Sequence, residues 1–174
     1  IMQFLLNEGD DLVAGRLFGS EVLGIYQMAY RLSNLPATQI TYTCNKIALP
    51  TYAAIQKQKQ YLSKAYLKNL QAIVILILPI GVGIALLAKP LVLILLGKNW
   101  TQVIGLMQIL SVWGIMRAIW ATTGPLYYAI GVPKLTTKLL IVRVIIQIIF
   151  IWPLAKLWGI MGVALTVVLS ALVV

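Results

Sequence analysis

Between residues 19 and 53 the chain is apolar on most sides of a helix and polar along a single line. Gln27, Arg31, Asn34, Thr38, Thr41 and Asn45 follow one another at steps of 4, 3, 4, 3 and 4, a spacing that sets all six on one helical face. The remaining positions are mainly Leu, Ile, Ala, Tyr and Met, whose natural surroundings are lipid or a neighbouring helix. Pro36 falls inside the line and predicts a kink. In a membrane, the carbonyls a kink frees are tolerated where protein, side chains or cavity water satisfies them. The expectation is a kinked helix over residues 20–53 whose polar line faces a wet interior. A second reading makes Thr38, Thr41 and Asn45 ordinary polar glue between helices. Arg31 is harder to treat that way, because an arginine at mid-span costs about 2.5–3.5 kcal/mol or more and is seldom left without a role.

Further apolar runs predict spans over about 1–18, 69–88, 101–130, 135–155 and 159–174. At 1.5 Å per residue such helices are long enough to cross a hydrocarbon core about 30 Å thick. Alternation of apolar and polar positions is absent, so helices rather than barrel strands are expected. The fold class is all-α, a polytopic membrane protein, here a single transmembrane lobe. Between the second and third spans, Tyr61, Leu62, Tyr66 and Leu67 recur at helical spacing among Lys57, Lys59, Lys64 and Lys68, which predicts an interfacial amphipathic helix over about 56–68. The segment KPLVLILLGKNW is too short to cross and should lie at the interface or re-enter. The chain opens at Ile1 in a span and closes in ALTVVLSALVV without a polar exit, so the expectation is a piece of a longer protein with its sixth helix cut short.

Composition sharpens this picture. Of 174 residues, 61% are hydrophobic and 10% charged, against roughly 25% charged in soluble domains. Fourteen Lys and Arg against four Asp and Glu give a net charge of +10. Much of that charge lies in or beside hydrophobic runs, so anionic headgroups or an anionic cargo are the expected partners, and nucleic acid is not. Histidine is absent and Cys44 is the lone cysteine, which leaves no metal cluster, cofactor site or disulfide framework to expect. Basic residues favour the 54–68 and 131–138 connections on the cytoplasmic side, six against four on the other.

Candidate chemistry is confined to a few intramembrane polar groups. Trp113, Arg117, Trp120 and Gly124 stand at steps of 4, 3 and 4, so an arginine flanked by tryptophans is held by cation–π contact, or the three offer a sugar a stacking platform beside a charge. The plainer alternative is tryptophan packing between helices. Arg143 and Gln147 share a face at i and i+4. Arg31, Arg117 and Arg143 sit on three different spans, which suggests a shared cationic lumen for phosphate-bearing or acidic cargo, since Arg binds phosphate oxygens as a bidentate fork. Asp10 and Asp11 with Asn7 either neutralise Arg16 or Arg31 or bind a coupling proton or sodium ion. No Gly-rich phosphate loop, no His and no separated carboxylate pair is present, so catalysis is not expected.

The run NEGDDLVAGRLFGSEVLGIYQMAYRLSNLP resembles the segment that opens the second half of bacterial polysaccharide flippases of the Wzx type, in the multidrug/oligosaccharidyl-lipid/polysaccharide exporter superfamily. The residues that carry the likeness are Asp10, Gly15, Arg16, Leu23, Gly24, Tyr26, Ala29, Tyr30, Arg31, Leu35 and Pro36, with ALPTYAAIQ, AKPLVLILLGKNW and the AIG turn at 129–131 as later landmarks. Asp11 departs from the pattern as an added acid. The resemblance implies a two-lobe exporter of which this chain is the C-terminal six-helix lobe, monomeric when whole and resident in the bacterial inner membrane. It also implies a cargo of undecaprenyl-diphosphate-linked oligosaccharide turned between leaflets by alternating access, with polymerase or ligase machinery as a candidate partner.

On this reading Arg31, Arg117, Arg143, Gln27, Asn34, Trp113, Trp120 and Gln147 bind substrate, while Asp10, Asp11 and Asn7 couple an ion or gate. Two other classes compete. An ion-coupled multidrug antiporter would want acids facing its cavity, and a non-transporting scaffold lobe would keep every intramembrane arginine paired across helices.

Overall fold

The structure is a computed structural model that describes the backbone of residues 2–172 and the side-chain surroundings of residues 9–172; the side chains of Asn7 and Glu8 therefore lie outside the described residues. Six α-helices and one 3-10 turn account for nearly all of it, and no strand occurs among the described residues. The helices are α1 (Met2–Ile55), α2 (Lys59–Leu86), α3 (Ala88–Leu95), α4 (Val103–Ala121), α5 (Thr123–Ala129) and α6 (Pro133–Leu172). Three stretches, Lys59–Leu86, Val103–Ala129 and Pro133–Leu172, are long and apolar enough to cross a membrane.

Two of the helices double back on themselves. Gly19 interrupts α1 with φ 84° and ψ 174°, and Gly159 interrupts α6 with φ 60° and ψ −140°, backbone states that only glycine adopts cheaply. The reversal at Gly19 follows from one contact: the Tyr26 hydroxyl reaches Asp10 at 2.6 Å. On a straight helix residues sixteen apart would stand about 24 Å from each other. Arg143 likewise reaches Ser170 across the bend at Gly159.

The basic stretch expected to form its own interfacial helix is instead the opening of α2, which runs unbroken from Lys59 to Leu86. Neither Pro nor Gly occurs between Leu62 and Leu78 to end a helix, so the lysine-rich turns continue directly into the apolar ones.

Helix α4 is the hub. It touches every other helix, and its Leu106, Met107, Leu110 and Trp113 form the main core with Tyr26 and Ala29 of α1, Val92 of α3 and Ile151, Val163 and Val167 of α6. Outward-facing side chains are mostly large and apolar: Ile75 is 71% exposed and Ile94 80%. Such a surface belongs against lipid or further helices rather than water. The molecule is thus largely apolar outside as well as in its packed core, and a cluster of polar side chains lies between α1, α4 and α6.

Candidate functional site

Pro125 explains one of the inner contacts. It lacks the N–H that a helix would direct at the carbonyl of Ala121, where α4 stops, and Asn45 of α1 supplies a substitute, its Nδ2 donating to that oxygen at 2.9 Å. The threonines of the polar line close on their own helix. Thr38 donates to the Asn34 carbonyl at 2.9 Å and Thr41 to the Ala37 carbonyl at 2.7 Å. Asn34 is buried, lies close to Gly114 and turns its Nδ2 to the Tyr30 carbonyl at 3.0 Å. The expected six-residue wet face therefore divides. Asn34 and Asn45 are drawn into the α1–α4 contact, Thr41 is buried, Thr38 is exposed, and of the six only Gln27 and Arg31 line an open cavity.

That cavity holds about 550 Å³ and is walled by Asp11, Gly24, Gln27, Met28, Tyr30, Arg31 and Arg117. A second, of about 290 Å³, is walled by Arg117, Trp120, Thr123, Gly124, Tyr127, Thr136, Leu139 and Arg143 among others. Arg117 belongs to both. Three arginines from α1, α4 and α6 thus surround two adjoining spaces, with Trp120 beside the second.

A chain of contacts ties these groups together. Asp10 is buried and accepts from Tyr26; its other oxygen, Oδ1, has no hydrogen-bond partner among the described residues. One turn on, the Tyr30 hydroxyl accepts from Arg117 Nη1 at 3.2 Å and from Trp113 Nε1 at 3.4 Å. The buried Trp113 ring in turn carries the Arg143 guanidinium 4.2 Å from its centroid, and Arg143 Nε donates to Ser170 at 3.5 Å. Spacing along α4 pairs Trp113 with Arg117 of the same helix. The ring braces Arg143 instead, because its burial turns its face to α6 while its edge nitrogen meets Tyr30.

The acids are placed differently from one another. Asp11 lines the first cavity and accepts from Gln27 Nε2 at 2.8 Å, so both Asp10 and Asp11 take neutral donors. Gln147 does not join Arg143. It is buried with neither amide atom partnered among the described residues, on a separate apolar cavity of about 220 Å³ walled by Gly9, Leu12, Val13, Val144, Ile148 and Ile151. The residues that sequence reasoning did not single out as site groups are Tyr26, Tyr30 and Ser170. Tyr26 and Tyr30 stand at i and i+4 one position before Gln27 and Arg31, a spacing that marked them as a second polar-tipped line beside the first. No group of metal-binding side chains occurs among the described residues.

The model of the family described as polysaccharide biosynthesis protein matches residues 1–105. Among curated proteins, the chain is 27% identical over 154 residues to the amylovoran biosynthesis protein AmsL of Erwinia amylovora, covering 86% of this chain and 40% of that one. It is 26% identical over 129 residues to the lipopolysaccharide biosynthesis protein WzxC of Escherichia coli strain K12, covering 74% and 26%. To the teichuronic acid biosynthesis protein TuaB of Bacillus subtilis strain 168 it is 23% identical over 122 residues, covering 70% and 25%. The chain thus spans between a quarter and two fifths of the length of these relatives. No solved structure matches it.

Proposed function

Because the chain belongs to the polysaccharide biosynthesis protein family, as a multi-pass bacterial membrane protein, we propose that it is one lobe of a flippase for undecaprenyl-diphosphate-linked oligosaccharide. The observation that carries the proposal is the gathering of Arg31, Arg117 and Arg143, from three helices, around two adjoining cavities. Water in such cavities keeps the guanidinium groups charged at low cost, and a diphosphate replaces that water with charge-assisted contacts. Trp120 and Tyr127 offer sugar rings a flat apolar surface beside the charge. The relatives' names, which speak of amylovoran, lipopolysaccharide and teichuronic acid biosynthesis, support a glycan cargo.

Movement between leaflets needs the cargo-facing groups to exchange access from one side to the other, and no bond has to be made or broken. Asp10 is the group placed to couple an ion to that exchange: it is buried beside Tyr26 and keeps an open oxygen for a proton or a small cation. The sign of charge around the cavities argues against a cationic drug as cargo, since Asp11 is their only acid among the described residues and Gln27 already engages it.

The test restores the full-length protein to a strain lacking it and measures surface polysaccharide beside membrane abundance. Arg31→Ala or Arg117→Ala removes a contact worth about 1.5–3 kcal/mol, roughly a ten- to hundred-fold loss of occupancy, with abundance unchanged. Arg→Lys keeps the charge without the fork and falls between. Full polysaccharide from the double alanine variant ends the cargo reading.

A further inference from the structure

One oxygen atom on the wall of the first cavity has both of its acceptor positions filled. The Tyr30 hydroxyl receives Arg117 Nη1 at 3.2 Å and Trp113 Nε1 at 3.4 Å. Guanidinium and indole N–H groups only donate, whereas a phenol has one proton and two acceptor lone pairs. With both donors seated, the lone pairs are taken and the proton must point elsewhere. The neighbouring Tyr26, with its ring 6.4 Å away, gives its own hydroxyl to Asp10. Tyr30 itself lines the cavity with Arg31 and Arg117. Among the described residues its O–H meets no acceptor, which leaves it able to donate into that space.

We propose that Tyr30 is a binding residue for a phosphate oxyanion, its hydroxyl donating to the ligand between the guanidinium groups of Arg31 and Arg117. The inference rests on the cargo reading above and deepens it. A diphosphate linked at both ends still presents two free oxygens on each phosphorus, aimed in different directions, which suits two forked cations and one single-proton donor better than a flat carboxylate does. The two bonds that Tyr30 receives polarise its O–H and strengthen it as a donor. The hydroxyl also supplies direction without adding a third charge to the cavity. The same oxygen steadies Arg117, so Tyr30 has two separable duties: holding Arg117 by accepting, and holding the ligand by donating.

The experiment uses the full-length protein in lipid nanodiscs, with farnesyl diphosphate as the probe and uncharged farnesol as its control. Tyr30→Phe removes one hydrogen bond to a charged group and weakens the diphosphate about ten-fold, leaving farnesol unchanged. In an Arg117→Ala background, where accepting has no further use for that arginine, Tyr30→Phe weakens the diphosphate again. No second loss there means that Tyr30 only positions Arg117, and the proposal falls. Tyr30→4-aminophenylalanine keeps a ring and N–H donors but accepts poorly, so it retains most of the affinity; if it behaves as Tyr30→Phe does, donation is wrong. That variant also decides the matter should Tyr30→Phe fail to accumulate. Diphosphate binding that ignores Arg31→Ala and Arg117→Ala sinks the cargo reading as a whole. Binding that needs both arginines but ignores Tyr30→Phe sinks only the role of Tyr30.

Discussion

The two ends of the polar line on α1 have the same spacing and opposite surroundings. Gln27 and Arg31 border a cavity shared with α4, whereas Asn34 and Asn45 lie against that same helix and Thr41 is buried. Periodicity assigns residues to a face, but it does not say what lies against the face. Here the difference arises from the neighbour: Gly114 lets α4 come close to α1 at Asn34, while Arg117 and Trp120 are too large for close contact and leave space beside them. The charged end of the line therefore meets room and donors, and the amide-and-hydroxyl end meets backbone. A face that reads as one feature is two, an open end to which the proposal above assigns cargo and a packed end that holds the lobe together.

The comparison is strained most by removing both charges from the open end. Arg31→Ala with Arg117→Ala should cost transport more than about a hundred-fold, the two charge-assisted contacts adding, while thermal stability in detergent hardly moves. A fall in abundance in step with transport would place the arginines among the structural groups instead, and the distinction between the two ends would disappear.

At the covered end the loss should reverse in kind. Asn45→Ala leaves the Ala121 carbonyl, already without a helix partner because of Pro125, facing an apolar contact. An orphaned carbonyl of that sort costs about 1–3 kcal/mol, read as a lower melting temperature and lower abundance, with farnesyl diphosphate affinity per folded molecule unchanged. Asn45→Gln keeps an amide but is one methylene too long, and recovers only part of the loss.

Single cysteines reacted with a water-soluble maleimide sharpen the boundary between the two ends. Gln27→Cys and Arg31→Cys should label several times faster than Asn34→Cys and Thr41→Cys, and diphosphate should protect only the first two. Equal rates at all four positions would restore a continuous wet face.

Which parts of this were legible in the sequence follows from the same distinction. The membrane class followed from composition, because a chain with 61% hydrophobic and 10% charged residues has few other solvents available, and the all-α reading from the absence of apolar and polar alternation. The clustering of cationic side chains on several spans was visible as well, since an arginine in an apolar run stands out by its cost. Pairing across helices was not. Nothing in the spacing of Trp113, Arg117 and Trp120 says that the ring of Trp113 faces α6 and meets Arg143, nor that Gln147 turns away from Arg143 toward α1. Both outcomes depend on how α6 lies against α4, and one helix's periodicity carries no record of its neighbour. The place of Asn45 was hidden for a related reason: Pro125 announces a freed carbonyl, but not which helix will answer it.

The smallest expected effect is also the most direct test of the covered end. Thr38 and Thr41 spend their protons on the Asn34 and Ala37 carbonyls of their own helix, oxygens that the helix ladder already serves. Thr38→Val with Thr41→Val keeps both side chains branched at Cβ and takes away only the second bond to each carbonyl. At the buried Thr41 the loss is offset by ridding the packed interior of a hydroxyl, and Thr38 is exposed, so stability should stay within about 0.5 kcal/mol and transport should stay at wild-type level. If the double valine variant instead lost transport while keeping its melting temperature, the hydroxyls would be acting on cargo during the transport cycle. The cargo path would then extend past Asn34 toward Asn45, and the division of α1 into an open and a covered end would describe one conformation of the lobe rather than its working cycle.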